Sequence, residues 1–235
     1  MRRLHFVMFS AVLLVGACGE SQTPPPTIEP GGLALVGAQL IDGSGTTPVQ
    51  DSVVVIRDGR IEHAGPRDTT AVPAGAEVID VAGKTIMPGL VNLHVHYRGG
   101  PEDIERQFRT QLYYGVTTAR SIGSDSAEAI PFLLEANAGR LGFPRAYTAG
   151  LGFSHPNGFN AAGRNAPTTE EEARSMVQAQ IDLGVHFIKM WVNEVAEPGL
   201  KITPEMRTVI VDEALRNGAL PVAHIDDEAD GRQLI

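Results

Sequence analysis

The sequence predicts an α/β chain in two parts: a small β portion over residues 33–87, then parallel strands with helical crossovers over residues 88–235. Three observations carry this. Short β-rich runs punctuated by Gly and Asp fill the first part, which has no helical periodicity over a useful length. In the second part apolar strand-like runs alternate with helical stretches, the pattern that parallel strands require because each crossover takes a dozen or more residues. The composition is that of a folded chain, 43% hydrophobic and 20% charged over 235 residues, which excludes wholesale disorder.

Residues 1–17 read as a secretory signal. Arg2 and Arg3 precede an apolar run from Leu4 to Ala17, too short for a relaxed bilayer span of about 20 residues. The run ends in Val15-Gly16-Ala17-Cys18. Small residues before a cysteine resemble the lipobox of bacterial lipoproteins, which implies lipidation at Cys18, export, and a chain held at the membrane on the periplasmic or cell-surface side. The alternatives are an ordinary signal, or a buried N-terminal helix with an incidental cysteine. Gly19, in place of Asp, leans away from inner-membrane retention. Residues 18–32 are rich in Pro and Gly and read as a tether. Cys18 is the only cysteine, so an intramolecular disulfide and a cysteine zinc cluster are excluded. The net charge of −9 without a basic stripe argues against nucleic acid as a partner. It leaves membrane attachment to a lipid.

In the β portion, Leu33 to Ile41, Ser52 to Ile56, Arg60 to Ala64, Glu77 to Val81 and Lys84 to Ile86 read as strands, with Asp58-Gly59 as a hairpin turn. Together they suggest part of a β-sandwich. Past Pro88-Gly89 the expected strands are 90–95, 116–121, 145–150, 186–192 and 220–225. The helices are 102–114, 126–138, 168–183 and one opened by Thr203-Pro204-Glu205 and closed by Asn217-Gly218, with a further helix opening at Asp230. Thr168-Thr169 followed by three glutamates is a capping arrangement. A Gly/Asn-rich loop spans 152–166.

Candidate chemistry gathers at strand ends. His94 and His96 stand at i and i+2, so both imidazoles face one side of a strand and can reach one ion. Lys189 lies inside the apolar run Phe187-Ile188-Lys189-Met190-Trp191, where a lysine is costly unless paired or modified. His224 ends the run Pro221-Val222-Ala223-His224-Ile225. Taken singly, Lys189 could be a salt-bridge lysine and His224 a satisfied core histidine; four such residues on three strand ends argue for a site.

Met87-Pro88-Gly89-Leu90-Val91-Asn92-Leu93-His94-Val95-His96 resembles the signature of metal-dependent amidohydrolases. Gly115 to Arg120 is similar to their second strand, and Gly184 to Lys189 to a segment of the imidazolonepropionase-like and prolidase-like branch. The resemblance runs in order over residues 33–235. Asn92 and His186 each stand where that pattern has Asp, which implies altered packing or contacts behind the ligands. The fold implied is a (β/α)8 TIM-like barrel with a β-sandwich portion. The implied cofactor is two divalent metals, as zinc, held by His94, His96, a carboxylated Lys189 and His224. A water acidified by both metals would attack a polarised carbonyl. His155, in Phe153-Ser154-His155-Pro156, is implied as a substrate-polarising residue, and Arg120 as a partner for a substrate carboxylate. Tyr97 is expected as wall. His5 and His63 get no role.

The family pattern also needs a sixth-strand His and an eighth-strand Asp; Asp226, Asp227 and Asp230 follow the fifth strand and fill neither place. The strand starts give about 33 residues per unit, whereas eight units need roughly 250. The expectation is therefore a barrel truncated after about five strands, the N-terminal part of a hydrolase of amide, dipeptide or cyclic amide bonds, inactive alone. The alternatives are a non-catalytic metal-binding lipoprotein module and a one-metal deaminase. Oligomerisation stays open.

Overall fold

The structure, a computed structural model, describes residues 31–158, 161, 163–193 and 200–234. The expected signal, Cys18 and all but the last two residues of the tether lie outside the described residues. The chain divides into two compact units, Met1–Met87 and Pro88–Ile235.

In the first unit, β1 (Leu33–Leu40), β2 (Val49–Arg57), β3 (Arg60–Pro66), β4 (Glu77–Asp80) and β5 (Thr85–Ile86) form one sheet. Its order is β3-β2-β1-β4, and β5 also pairs with β1. The β1–β2 and β2–β3 pairs are antiparallel, whereas β4 and β5 run parallel to β1. Asp58 and Gly59 have φ of 50° and 70° between the paired Arg57 and Arg60. Two positive φ values in a two-residue loop define the turn whose twist matches the strands it joins. The run Val53-Val54-Val55 is buried with Ala34 and Ala38. Where the β1–β2 register shifts around Ala38, the Ser52 hydroxyl donates to the Ala38 carbonyl at 2.9 Å. The described residues of this unit make this single sheet; the second layer that a sandwich requires is not among them.

In the second unit each strand is followed by a helix: β6 (Leu90–Val95), α1 (Pro101–Tyr113), β7 (Val116–Ser121), α2 (Ala129–Asn137), β8 (Arg145–Thr148), α3 (Glu170–Asp182), β9 (Phe187–Val192), α4 (Pro204–Arg216), β10 (Leu220–Ile225) and α5 (Glu228–Gln233). The ladders β6-β7-β8 and β9-β10 are parallel. They meet through the backbone. His186 N–H donates to Thr148 O at 2.8 Å, Phe153 N–H to Lys189 O at 2.7 Å and Trp191 N–H to Phe153 O at 2.9 Å. Between these contacts the chain leaves the ladder at Ala149-Gly150, with Gly150 at φ 61°. The strand expected over 145–150 therefore stops at Thr148.

Alternation along each strand sorts side chains between two faces. Ile188, Met190 and Val192 pack with Ala173 and Val177 of α3 and with Val209 and Ile210 of α4. Ala119 and Ala146 pack with Ile104, Phe108 and Leu133. Lys189 and Trp191 therefore face away from the helices. So do His94, His96 and His224, because their neighbours Val95 and Ala223 pack against the helix-side clusters. Caps fix where helices begin. The Thr169 hydroxyl accepts from Glu172 N–H, and Glu172 accepts from Thr169 N–H, which closes a capping box. Asp227 accepts from the N–H groups of Ala229 and Asp230, so α5 opens at Glu228, two residues before the expected start. Ser126 forms a turn onto Ala129, which delays α2 to Ala129. Among the described residues no helix is long and apolar enough to cross a membrane.

Candidate metal centre

His94 and His96 are already gathered. Their Nε2 atoms lie 3.2 Å apart, and two nitrogens each about 2.1 Å from one ion stand roughly 3.4 Å apart at the tetrahedral angle. His96 Nδ1 is 2.8 Å from Gly123 O; a carbonyl only accepts, so Nδ1 carries the proton and Nε2 keeps its lone pair for a metal. The Asn92 side-chain oxygen accepts the His94 backbone N–H at 3.2 Å. Asn92 thus supplies an acceptor next to the pair. Burial lowers the His94 pKa first, followed by the positive neighbours Lys189, His96, Arg120 and His224. All of these favour the neutral imidazole that metals bind.

Lys189 is 1% exposed. Among the described residues, no hydrogen-bond acceptor or carboxylate lies on its ammonium. Its pKa is pushed down to about 8, by burial first and then by the guanidinium groups of Arg164 and Arg120. Beside it Trp191 is clamped. A Cβ on Gly123 would come within 2.6 Å of the indole and one on Gly152 within 2.4 Å, and both glycines have positive φ. The Arg164 guanidinium lies 3.3 Å from the ring centroid, and Lys189 Nζ lies 5.2 Å from it. Val222 pairs with Lys189 and His224 with Trp191, so His224 sits one step closer to the strand ends than Lys189. Its Nε2 is 3.1 Å from Asp226 Oδ1.

The four donors face one side of the parallel strands, and their charges act on one another, but only His94 and His96 are in contact. Among the described residues, no three His, Cys, Asp or Glu side chains close on a point. The donor chemistry nonetheless fits divalent ions: imidazole nitrogens, and a buried amine with no acceptor among the described residues, the kind of group from which a carbamate forms.

Arg120 gives its Nε–H to Leu93 O at 2.9 Å and lies over the Phe187 ring at 5.2 Å. His155 accepts from Asn157 N–H through Nδ1 at 3.2 Å. It lines a cavity of about 280 Å³ with Pro156, Pro167, Ile202 and Met206, and no hydrogen bond among the described residues joins it to the four donors. Tyr97 packs edge-on against Phe108 and donates to Gln111 at 2.8 Å, which makes it a core residue of the helix side. His186 accepts from Thr148 N–H through Nδ1 at 3.2 Å, so it locks β9 to the end of β8.

Three features escape strand-end reasoning. One is the Trp191 clamp. Another is a cavity of about 340 Å³ lined by Tyr97, Arg98, Ser124, Ser126 and Arg164, in which burial and then Arg98 push Arg164 down to about 10. The third is Asp125, which accepts from Ser121 at 2.5 Å and Thr148 at 2.6 Å and is pushed up to about 6 by burial. Each is assembled from several loops, and the only sequence signal is the single Trp among glycines and arginines.

No protein-family model matches the sequence. Over 217 residues the chain is 26% identical to the imidazolonepropionase of Mycolicibacterium smegmatis, covering 90% of this chain and 48% of that protein. Over 65 residues it is 42% identical to a 5-methylthioadenosine/S-adenosylhomocysteine deaminase of Symbiobacterium thermophilum, covering 27% of this chain and 15% of that protein. Among solved structures, a Bifidobacterium longum protein assigned as a prolidase superposes with a TM-score of 0.75 at 30% identity, covering 86% of this chain and 51% of the other. The chain thus spans about half the length of that imidazolonepropionase.

Proposed function

The chain belongs to the amidohydrolase superfamily, and from that premise we propose that it serves metal-dependent hydrolysis of C–N bonds. Residues 88–235 contribute the first five strands of a (β/α)8 TIM-like barrel, and residues 33–87 contribute strands to a β-sandwich. His94 and His96 would hold one divalent cation, and Lys189 as its carbamate, together with His224, would hold a second. Zinc suits these donors. Two ions held there supply Lewis acidity, lowering the pKa of a shared water and polarising a carbonyl.

The observation that carries this reading is the buried Lys189, whose ammonium has no acceptor among the described residues. Its lowered pKa supplies the free amine that reacts with carbon dioxide, forming an N–C bond and releasing one proton. His96 is held in the tautomer that a metal needs by Gly123 O. Trp191, held by its glycine clamp, places its ring 5.2 Å from Lys189 Nζ. The cavity with Arg98 and Arg164 offers two guanidiniums and two hydroxyls, which suits a small substrate bearing a carboxylate, such as a dipeptide or an N-acyl amino acid. His155 stays a candidate for polarising that substrate, and Arg120 supplies positive charge next to His94 and Lys189. A lipid on Cys18 would hold the chain at the outer side of a membrane; Cys18→Ser should then release it from the membrane fraction.

The test is metal content with a hydrolysis screen. After dialysis, the chain purified with zinc and bicarbonate should hold two zinc ions, and any hydrolysis of dipeptides or N-acyl amino acids should disappear in Lys189→Ala. One tightly held ion, or unchanged hydrolysis in Lys189→Ala, contradicts the bridge and favours one-metal chemistry.

A further inference from the structure

The four donors are three imidazoles and a lysine, and the groups whose charges act on His94 and Lys189 are all cationic: Arg120, Arg164 and the donors themselves. A centre for two dications needs anionic charge nearby. Among the described residues, one carboxylate lies within hydrogen-bond distance of a donor. It is Asp226, whose Oδ1 is 3.1 Å from His224 Nε2.

Asp226 is two residues beyond His224, as His96 is two beyond His94. Asp226 lies in the bend just past β10, where its carboxylate turns back to the His224 ring. The separations of the heteroatoms also match, 3.1 Å in the His–Asp pair and 3.2 Å in the His–His pair. Both lie close to the roughly 3.4 Å expected of two ligands sharing a tetrahedral ion. The side chains of His224 and Asp226 are 43% and 50% exposed, so an ion can reach them. We propose that Asp226 is a metal ligand, which joins His224 in a His-x-Asp pair that holds the second divalent cation. This rests on the two-metal reading above and adds to it the anionic donor that the other described ligands lack before carbamate forms.

Cobalt(II) titration of the 235-residue chain tests it, read by calorimetry and by the visible ligand-field spectrum. Wild type should take up two ions. Asp226→Asn should keep the first and bind the second at least tenfold more weakly, about the range for losing a metal-site contact, with an altered spectrum for the second phase. Asp226→Glu should restore much of both, and circular dichroism should show all variants folded. Second-ion affinity within twofold of wild type in Asp226→Asn overturns the proposal. So does weaker binding with an unchanged spectrum, since a carboxylate that only orients His224 leaves the ligand set intact. Those outcomes leave the two-metal reading standing. A wild type that takes up one ion or none overturns both.

Discussion

The end of β6 and the ends of β9 and β10 present the proposed metal donors in opposite ways. At β6 the geometry is made in advance: two imidazoles at i and i+2 already stand 3.2 Å apart, one with its tautomer set by Gly123 O. At β9 and β10 the chemistry is prepared instead. Lys189 is buried with no acceptor among the described residues, and its pKa is lowered to about 8, the condition from which the proposed carbamate would form. A site can therefore be half preformed and half conditional. The loop after β7 serves both halves, because Gly123 offers its carbonyl to His96 and its bare Cα to Trp191 beside Lys189.

The largest expected effect comes from breaking the conditional half mechanically. Gly152→Ala puts a Cβ 2.4 Å from the indole at φ 76°, and should cost about 3 kcal/mol in urea unfolding, from overpacking plus left-handed strain. Gly139→Ala is the control. It has a similar φ of 97° but open space around its Cβ, and should cost only about 1 kcal/mol. Equal losses would mean that the clamp on Trp191 adds nothing.

Next is the anchor of the shared loop. The Asp125 carboxyl is fully buried, and its folded pKa is raised to about 6. A raised carboxyl pKa favours the protonated fold. Its contribution is complete below the unfolded value near 3.9 and is lost as pH rises through about 6. Asp125→Asn should therefore gain stability relative to wild type between pH 4 and pH 8, by up to about 3 kcal/mol. A difference between the two proteins that does not change with pH would show the carboxyl to be unperturbed. The smallest effect belongs to the preformed half: Asn92→Ala removes one acceptor from the His94 N–H. It should cost about 1 kcal/mol and weaken the first ion more than the second.

Legibility followed locality. The Asp58-Gly59 turn, the Thr169–Glu172 capping box and the His94–His96 pair could be read because each is set by residues a few positions apart, and the strand–helix alternation reads in the same way. The β8 boundary could not, because Gly150 takes the chain off the ladder and Phe153 returns it by pairing with β9. The same holds for Asp125, which joins Ser121 to Thr148 across two strands, and for Trp191, whose neighbours come from two loops. Asp226 lies after the fifth strand rather than the eighth, and its side-chain contact with His224, on which the proposed ligand role rests, is one that strand order does not reveal.

The claim on which most depends is that Lys189 becomes a carbamate. Carbon-13 NMR of the chain loaded with zinc and 13C-bicarbonate tests it most directly. A single carbamate resonance should appear, persist through dialysis, and be absent in Lys189→Ala. A spectrum without that resonance in the zinc-loaded wild type, or one that keeps it in Lys189→Ala, would contradict the claim.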